Sequence, residues 1–418
     1  MQLYVISEDF VMHYESDNMM GIRRTNRAAV LTCLHEQGPL SRKRLAEQLG
    51  LSPAGISKIV SELICDGLLR EGDTAPGGGV GRREVFLIPE ARARCALGVF
   101  LGLKHAVLSG VWLNGEVIFT ETVHFGVRAP AEDTVAMIAE RLLQLADAHG
   151  LEHGRILGVG IAVRALIGAD NRSIVQSFDT LDRNEFAICD CFEAHTGLPA
   201  VLASNVRALF AGQMYLEREA ELGSQFFLRC DVGIGAALSI RNRIWEGDRR
   251  QCAEIGHIPV VREGGKRCHC GKTGCLETIA SPLAMLEDAM AILSPEKTPE
   301  LWKIFGEKRE QSLTALDVLE AAHRGDPGAS AIAERAIRAL ADALKSVIYL
   351  IDPGKIILYG AIFDHPYVLP RLSEELKIGV DAAHSVPMEK SRYNGTLENR
   401  AAGLLIASRF LENGGTAL

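Results

Sequence analysis

One histidine and three cysteines lie within 19 residues of the chain, in the spacing H-x10-C-x-C-x4-C. Zinc takes thiolate and imidazole ligands in tetrahedral sites, and a site whose four positions are all filled by protein atoms is structural. Glycines in the same stretch allow a short loop to close around an ion. The spacing therefore predicts one structural Zn²⁺ ion without a catalytic water, held by His257, Cys268, Cys270 and Cys275. The alternative is a group of reduced, buried thiols.

The other seven of the ten cysteines show no ligand spacing. Cys189 and Cys191 fall within a helical pattern, and the remaining five are expected to pack as small apolar residues. The N-terminus has no basic segment ahead of an apolar run, so we expect no secretory signal and a reducing, cytoplasmic location. No apolar run reaches the roughly 18 residues that a transmembrane helix needs, so membrane insertion is not expected.

The predicted zinc residues lie in a long segment in which strand and helix patterns alternate, which is typical of an α/β fold. The dipeptide Asn114-Gly115 between two strand patterns is a strong hairpin signal. The predicted strands cover residues 97–103, 106–113, 116–123, 156–163, 200–203, 224–230 and 355–359, and the predicted helices cover 134–149, 184–196 and 329–350.

The segment ahead of this body predicts three helices joined by short turns. The first is expected to run from its N-cap Thr25 to about residue 37. The second begins after the N-cap Ser41 and ends at Gly50, which tolerates the left-handed conformation. The third starts at Ser52, a cap that is followed by a proline at the first helical position. Two short helices with a tight turn, behind a third helix, are typical of a helix-turn-helix.

A turn, a Gly-rich tip over 77–83 and the apolar strand 85–88 are expected after the third helix. Together these elements predict a winged helix-turn-helix whose tip meets a minor groove or phosphates. The third helix presents small and polar residues, which allow a helix to approach base edges. The candidate DNA contacts are Arg42, Ser52, Ala54, Ser57, Lys58, Arg82 and Arg83. The alternative is a three-helix packing module followed by a flexible linker.

Charge is unevenly distributed along the chain, whose formal net charge is −8. Residues 1–20 carry four acidic and no basic side chains, whereas residues 21–89 carry ten basic and seven acidic ones. A basic module on an acidic body favours binding to a polyanion such as DNA. We therefore expect an N-terminal extension (1–20) without assigned function, a winged helix-turn-helix (21–89), and a ligand-sensing and oligomerisation body (90–418).

The zinc stretch also carries a resemblance to a known family. It reads Glu-Ile-Gly-His at 254–257 and Cys-x-Cys-Gly-x-x-Gly-Cys-Leu-Glu at 268–277. From about residue 22 to its end, the chain resembles the ROK family of repressors, open reading frames and kinases, and most of all its sugar-responsive transcriptional repressors. The resemblance implies a two-lobed, actin/hexokinase-like body behind the winged helix, with structural zinc, a sugar pocket in the cleft, and a homodimer or homotetramer.

Positions that the family's kinases use for catalysis are altered in this chain. Phe100 stands where the kinases have an Asp that organises magnesium, and Leu103 stands where they have a phosphate-loop Thr. Asn205 replaces the Asp that serves as the catalytic base, and an amide cannot accept a hydroxyl proton as a carboxylate does. Asp231 or Val232 lies near the Thr of a second phosphate loop, where a carboxylate would repel phosphate. These changes make sugar phosphorylation unexpected.

The family's sugar contacts are partly retained. They match Asn205, Glu254, His257 and Glu277. The resemblance implies that His257 binds zinc through one ring nitrogen and faces the ligand with the other. The alternative is that the two carboxylates only shape the zinc loop. Arg164 replaces a common proline, and it either favours an anionic ligand or forms an outward salt bridge; Asp179 loosely matches a family Asn.

The sequence as a whole predicts a DNA-binding transcriptional regulator, most simply a repressor of carbohydrate metabolism genes. Its partners would be double-stranded operator DNA and a small carbohydrate effector. An active ROK sugar kinase with an appended DNA-binding head is the alternative from another functional class. A regulator controlled by a protein partner is a third hypothesis.

Overall fold

The computed structural model describes residues 19–74, 84–178, 180–218, 223–308 and 312–416. The predicted wing tip with Arg82 and Arg83, and also Asp179, lie outside the described residues. The chain divides into two compact units, Met1–Ala220 with Glu398–Leu418, and Glu221–Leu397. None of the helices in the described part of the chain has both the length and the apolar composition that a membrane span requires.

Three helices and a small antiparallel sheet open the first unit and form a winged helix-turn-helix. The elements are α1 (Met19–Gln37), β1 (Leu40–Ser41), α2 (Arg42–Leu49), α3 (Pro53–Cys65), β2 (Leu69–Thr74) and β3 (Val85–Pro89). The sheet has the order β1-β3-β2, so the wing strands β2 and β3 pair beside the helices. The predicted winged helix-turn-helix is confirmed, with one wing strand more than the sequence pattern indicated.

The caps predicted for α2 and α3 are confirmed. The hydroxyl oxygens of Ser41 and Ser52 each accept a hydrogen bond from the backbone N–H three residues later, at 3.3 and 3.1 Å. Gly50 ends α2 in the left-handed region, at φ +64°. These bonds satisfy N–H groups that have no partner within the helix, so the caps fix where both helices begin.

The predicted start of α1 is wrong. The helix begins at Met19, so Thr25 lies inside it instead of capping it. The Thr25 hydroxyl donates to the carbonyl oxygen of Gly21, four residues earlier, at 3.1 Å. A threonine can make this bond within a helix as well as cap one, so its presence does not define a helix start.

A five-stranded sheet in the order β10-β7-β4-β5-β6 forms the centre of the rest of the first unit. Its strands are β4 (Cys95–Leu101), β5 (His105–Trp112), β6 (Val117–His124), β7 (Ile156–Val163) and β10 (Ala200–Ser204), and a separate hairpin is formed by β8 (Ala165–Ile167) and β9 (Ile174–Ser177). Its helices are α4 (Ala131–Ala148), α5 (Ile188–Thr196), α6 (Asn205–Glu217) and the C-terminal α13 (Ala401–Glu412).

Helices cover both faces of this sheet. Alternate residues of β4 such as Leu97 and Val99 point into the core under α4 and α5, whereas Ala96 points into the core under α13. This alternation follows from the two-residue period of a strand. Gly160 lets α13 approach closely, because a Cβ there would overlap the carbonyl oxygen of Ala402.

The second unit has its own five-stranded sheet, in the order β13-β12-β11-β14-β15, and a helical layer. Its strands are β11 (Gln225–Cys230), β12 (Ile234–Ile240), β13 (Arg243–Trp245), β14 (Lys355–Tyr359) and β15 (Met388–Lys390). Its helices are α7 (Glu277–Ala280), α8 (Pro282–Ile292), α9 (Pro299–Lys308), α10 (Ala315–His323), α11 (Pro327–Ile351) and α12 (Val368–Lys377).

The α/β prediction for the body is confirmed in both units. Every predicted strand is present, and the Asn114-Gly115 turn joins β5 to β6 as expected. The predicted helix over 184–196 is too long, since α5 begins only at Ile188. Helix α6 and the second-unit helices α7 to α10 and α12 were not predicted from the sequence.

Candidate functional site

A cluster of one imidazole and three thiols lies in the second unit, and the donor atoms of all four residues lie within 4.8 Å of one another. We call these residues, His257, Cys268, Cys270 and Cys275, the Cys/His cluster. Its Cys268 Sγ lies 3.5 Å from His257 Nδ1, and Cys270 Sγ lies 3.7 Å from Cys275 Sγ. A tetrahedron with Zn–S bonds of about 2.3 Å has S–S edges of about 3.8 Å. The separations therefore suit a four-coordinate ion and exclude an S–S bond in the described geometry.

Backbone pairing shapes the loop that carries this cluster. Pro259 and Cys275 form an isolated antiparallel bridge that closes the loop. Gly274 adopts φ +72°, and a Cβ there would overlap the carbonyl oxygen of Val261. Glycine at this position therefore allows two backbone segments to approach each other, which brings Cys275 back toward the start of the loop.

His269 is a site residue that the sequence analysis missed. It lies between two cysteines of the cluster, and its Nδ1 is 3.0 Å from Glu277 Oε1 and 3.9 Å from Cys268 Sγ. A second set of donors, His257, Cys268, His269 and Glu277, also lies within 4.8 Å of one another. Because the two sets share two members, an ion can occupy only one of them at a time. The only sequence signal was a further histidine inside the ligand spacing.

Glu277 is held at both carboxylate oxygens. Its Oε2 accepts a hydrogen bond from the Ile234 backbone N–H at 2.9 Å, while Oε1 faces His269. Gly233 makes room for this contact, since a Cβ there would overlap Oε2. Burial alone raises the pKa of Glu277, but the hydrogen bonds from His269 and Ile234 outweigh burial and hold the pKa below its usual range. Glu277 is therefore an ionised acceptor at neutral pH.

The two other predicted ligand residues lie in different environments. Glu254 is exposed. Its backbone carbonyl oxygen accepts a hydrogen bond from the His257 backbone N–H at 3.0 Å, so Glu254 lies directly before the first residue of the cluster. The structure thus brings Glu254 and Glu277 to the two ends of the cluster loop. Asn205 belongs to the first unit, where it is the first residue of α6 and is 7% exposed.

Arg164 does not form the outward salt bridge considered from sequence, within the residues that the structure describes. Its guanidinium donates to the Phe178 carbonyl oxygen at 3.2 Å, next to the end of β9. The bond ties the chain after β7 to the end of the β8–β9 hairpin. Arg164 thus has a structural contact in the first unit, and a role toward an anionic ligand remains a hypothesis.

Phe100 and Asp231, two residues expected to replace kinase residues, have apolar and ion-paired surroundings, respectively. Phe100 lies on β4, pairs in register with Val107 and Ala162 on the neighbouring strands, and is 2% exposed. An aromatic core residue has no oxygen to offer a hard cation such as Mg²⁺. In the second unit, Asp231 pairs with Arg229 at 2.9 Å. The carboxylate at this turn therefore has a cationic partner on β11, the strand that precedes the turn.

The third helix presents three of its predicted DNA contacts to solvent. Ala54, Ser57 and Lys58 are exposed, whereas Ile56 and Ile59 on the opposite face are buried. This amphipathic pattern leaves the polar face of α3 open for a base edge.

Three predicted contacts also bond within the head. The Ser57 hydroxyl donates to the Pro53 carbonyl oxygen at 2.8 Å, and Ser52 is the N-cap of α3. Arg42 pairs with Glu71 on the wing strand β2 at 2.8 Å. Arg42 would have to leave this pair, or share it, in order to reach a phosphate.

The winged helix shares its hydrophobic core with the C-terminal helix. Phe410 of α13 is 2% exposed and packs in the same cluster as Leu34 and Leu63 of the head. Arg27, which is 6% exposed, donates through Nε to the Gly414 carbonyl oxygen at 2.8 Å. Helix α13 therefore completes the core of a head that begins at the other end of the chain, and the turn after α13 accepts a hydrogen bond from that head.

A histidine provides a second contact between the head and the sheet-containing part of the first unit. His35 Nε2 lies 2.9 Å from the Tyr215 carbonyl oxygen of α6, and the two rings lie 4.2 Å apart. Burial lowers the pKa of His35 to about 4, so the imidazole is neutral at pH 7 and donates through Nε2–H. Helix α6, which begins at Asn205, also packs against α13.

Comparison with known proteins identifies the family. Residues 96–403, nearly three quarters of the chain, match the ROK family. The chain belongs to the ROK family. Residues 25–71 match the MarR family, so a MarR-type winged helix precedes the ROK body. The family resemblance and the fold expected from sequence are thereby confirmed.

Two curated relatives span most of the chain. The DNA-binding transcriptional dual regulator NagC of Escherichia coli K12 is 28% identical over 355 residues, which cover 83% of each protein. The DNA-binding transcriptional repressor Mlc of the same strain is 25% identical over 400 residues, covering 94% of this chain and 95% of Mlc. A glucokinase of Halalkalibacterium halodurans is 27% identical over 225 residues, covering 54% of this chain and 67% of the enzyme.

A solved structure shares the fold over almost the whole chain. It is a ROK family transcriptional regulator described as a homologue of E. coli Mlc, with a TM-score of 0.78 and 23% identity. The match covers 94% of this chain and 98% of that protein. The two proteins thus share a fold over nearly their full lengths.

Proposed function

We propose that this ROK protein is a transcriptional regulator, most simply a repressor of carbohydrate metabolism genes, that releases DNA in response to a sugar or sugar derivative. The observation that carries the proposal is a MarR-type winged helix joined to a ROK body whose kinase positions hold Phe100 and Asn205. Similarity to NagC and Mlc over most of the chain supports the same function.

Operator recognition is assigned to the head. A dimer presents two winged helices, and two heads suit a palindromic operator whose half-sites are spaced by helical turns. We infer that α3 enters the major groove with Ala54, Ser57 and Lys58, and that Arg82 and Arg83 of the wing contact phosphates or the minor groove. Arg42 and Ser52 would contact the backbone beside the groove.

A mobility-shift series tests this assignment. Lys58→Ala should cost roughly 1–3 kcal/mol of operator binding if Lys58 reads a base. Lys104→Ala, which removes an exposed lysine elsewhere in the first unit, is the matched control and should change little. The double variant Arg82→Ala/Arg83→Ala should bind all DNA sequences more weakly and show a flatter salt dependence. An unchanged salt slope in the double variant would remove the wing from the interface.

Structural zinc is proposed for the Cys/His cluster. The donor set of three thiolates and one imidazole fits zinc better than magnesium or calcium, which take oxygen ligands. The separations between donor atoms agree with a tetrahedral site. When bound, the ion would fill all its positions with protein atoms, so it would shape the loop and would not activate water.

Effector binding is proposed for Glu254, His257 and Glu277 of the second unit. Asn205, in the first unit, stays an effector contact predicted from the sequence. Carboxylates accept hydrogen bonds from sugar hydroxyls, whereas an amide both accepts and donates them. Glu277 is already held in one orientation. An effector shifts a regulator only if it binds one arrangement of the heads more tightly than another. We infer that the sugar favours an arrangement of the two heads that no longer matches the operator.

We further propose that the body has lost kinase activity. The chain is also similar to a glucokinase, so the alternative hypothesis of an active sugar kinase can be tested with named sugars. A coupled ATPase assay with glucose, N-acetylglucosamine and xylose should show no sugar-dependent turnover in the unmodified protein. The variant Asn205→Asp should remain inactive as well, because Phe100 still provides no oxygen ligand for magnesium. Sugar-dependent turnover in the unmodified protein would favour a kinase with a DNA-binding head.

The assembly is proposed to be a cytoplasmic homodimer or homotetramer. The winged helix supports an oligomer, because a single winged helix contacts only one half-site of an operator. Operators that bind dimers of such proteins contain two half-sites. Light scattering of the full chain, with and without operator DNA, measures the state directly. A pull-down under induced and uninduced growth conditions tests the hypothesis of control by a protein partner.

A further inference from the structure

We propose that His269 is a positioning residue of the effector site, which holds the Glu277 carboxylate in the orientation that accepts sugar hydroxyls. The inference rests on the proposed function, because that function assigns Glu277 to effector binding. It goes further in giving a role to a residue that is neither a member of the Cys/His cluster nor one of the expected sugar contacts.

The contact distances define the donor and the acceptor. His269 Nδ1 lies 3.0 Å from Glu277 Oε1, and an ionised carboxylate can only accept, so Nδ1 carries the proton. The Ile234 backbone N–H holds the other oxygen at 2.9 Å. With one protein donor on each oxygen, the carboxylate plane cannot rotate without losing a bond. Each oxygen still has a lone pair to accept a hydroxyl of the effector.

The cluster loop in turn fixes His269. The residue lies between Cys268 and Cys270, and its ring meets the ring of His257 edge-on, with centroids 5.0 Å apart. Only 28% of the His269 side chain and 13% of the Glu277 side chain are exposed. The imidazole thus contacts the ring of His257 on one side and the Glu277 carboxylate through Nδ1.

Metal binding and Glu277 positioning compete for His269 only if an ion occupies the second donor set. That set offers one thiolate, two imidazoles and a carboxylate, whereas the Cys/His cluster offers three thiolates and one imidazole. Soft thiolate ligands favour zinc, so the ion should take the Cys/His cluster and leave the His269–Glu277 pair intact. In this arrangement the metal positions His269, and His269 positions Glu277.

Two variants of similar shape separate a donor from a packing role. In His269→Asn, the side-chain amide nitrogen takes the place of Nδ1 and can still donate to Glu277. In His269→Leu, a side chain of nearly the same shape as Asn has no donor. Lys272→Ala, an exposed residue of the same loop, is the control for general disturbance.

Four quantities are measured on the full chain. They are the zinc content, the operator affinity without sugar, the amide hydrogen exchange of the peptide containing Ile234, and the sugar affinity. The sugar probes are N-acetylglucosamine, glucose and xylose, each alone, in isothermal titrations. We expect His269→Leu to keep its zinc and its operator affinity, to exchange the Ile234 amide about tenfold faster, and to bind its sugar about tenfold more weakly. The Asn variant should stay within about threefold of the unmodified chain for each quantity.

Three results would overturn the proposal. Loss of zinc in both variants would make His269 a metal ligand, and loss in His269→Leu alone would make it a packing residue of the loop. Unchanged amide exchange and sugar affinity in His269→Leu would show that Glu277 is held without it. If none of the sugars binds the unmodified chain, the proposed effector class fails for these probes. The Ile234 amide exchange then still decides, independently, whether His269 holds Glu277.

Discussion

The junction between the winged helix and α13 and the loop of the Cys/His cluster are stabilised by different interactions. The junction buries Phe410 among aliphatic side chains of the head and satisfies a buried guanidinium, that of Arg27. The cluster loop places charged side chains such as Arg262, Glu263 and Arg267 in solvent and has little apolar surface to bury.

This difference concerns what each region needs in order to fold. Apolar burial is a property of the chain itself and persists in any reducing or oxidising buffer. A loop held by a metal takes its folding free energy from the ion, and it loses that free energy when a ligand is removed or protonated. We therefore expect the head to stay folded under conditions that unfold the cluster loop.

Removing a cluster thiol should have the largest effect. Cys275→Ala should abolish stoichiometric zinc binding, because structural zinc sites contribute apparent free energies of about 10–16 kcal/mol at pH 7 and need all four ligands. Elemental analysis and hydrogen exchange of the loop peptides measure the change. Cys65→Ala, which removes an exposed thiol at the end of α3, is the control and should retain zinc. Undiminished zinc in Cys275→Ala would contradict the view that a metal holds the cluster loop while apolar burial holds the junction.

Truncating the aromatic side chain at the junction should have the next largest effect. Phe410→Ala should lower the free energy of unfolding of the head by about 3–5 kcal/mol, because Phe410 is 2% exposed and a cavity replaces its ring. Urea denaturation, monitored by hydrogen exchange of the α1 peptide, follows the head. The control Phe305→Ala removes a ring that is 42% exposed, and it should cost far less. Equal losses in the two variants would mean that α13 does not complete the head core.

Two arginines of α1 that share the partner Glu62 differ in burial, and this makes them a matched pair. Arg27→Met should cost about 2–3 kcal/mol, because it leaves the buried carbonyl oxygen of Gly414 without its donor. Arg23→Met should cost less than about 1 kcal/mol, since an exposed ion pair contributes little. The same denaturation assay compares them. A larger loss for Arg23 would show that surface charge, rather than burial, holds the junction.

Acid should weaken the contact between the winged helix and α6 through His35. Its pKa is lowered to about 4 by burial, from 6.5 in an exposed histidine, so the unfolded chain binds more protons between these values. Stability is therefore complete above about pH 6.5 and falls as the pH drops toward 4, by about 2 kcal/mol between pH 7.5 and 5.0. His35→Gln keeps a donor at the Nε2 position without titrating. The difference between the two proteins' pH profiles isolates His35, and parallel profiles would contradict its burial as a neutral group.

Several parts of the structure could be predicted from residue types and short spacings in the sequence. Ser41 and Gly50 bound α2 as predicted, because a hydroxyl cap and a left-handed glycine act through neighbouring backbone groups. The cysteine spacing predicted a cluster whose donor atoms do lie together. The same kind of signal misplaced the start of α1, because Thr25 is equally compatible with a position inside a helix.

Residues that act through distant partners were not predictable in the same way. His269 carried no pattern of its own, since its contact with Glu277 exists only after the loop reverses at Gly274. In the sequence, Phe410 is an ordinary apolar residue of a C-terminal segment. No residue near it in the sequence indicated that it packs with Leu63 of the head.

The sequence by itself determined the donor types of the cluster and the polar face of α3, because these depend on residue identity and short spacing. It also supplied the prediction that Phe100 and Asn205 replace kinase residues. Only the tertiary structure decided that His269 faces Glu277 and that the C-terminal turn closes the head, where Arg27 reaches a carbonyl oxygen 387 residues away in the chain. The reason is physical: such contacts depend on how whole elements pack, and packing selects partners by shape and burial rather than by proximity in sequence.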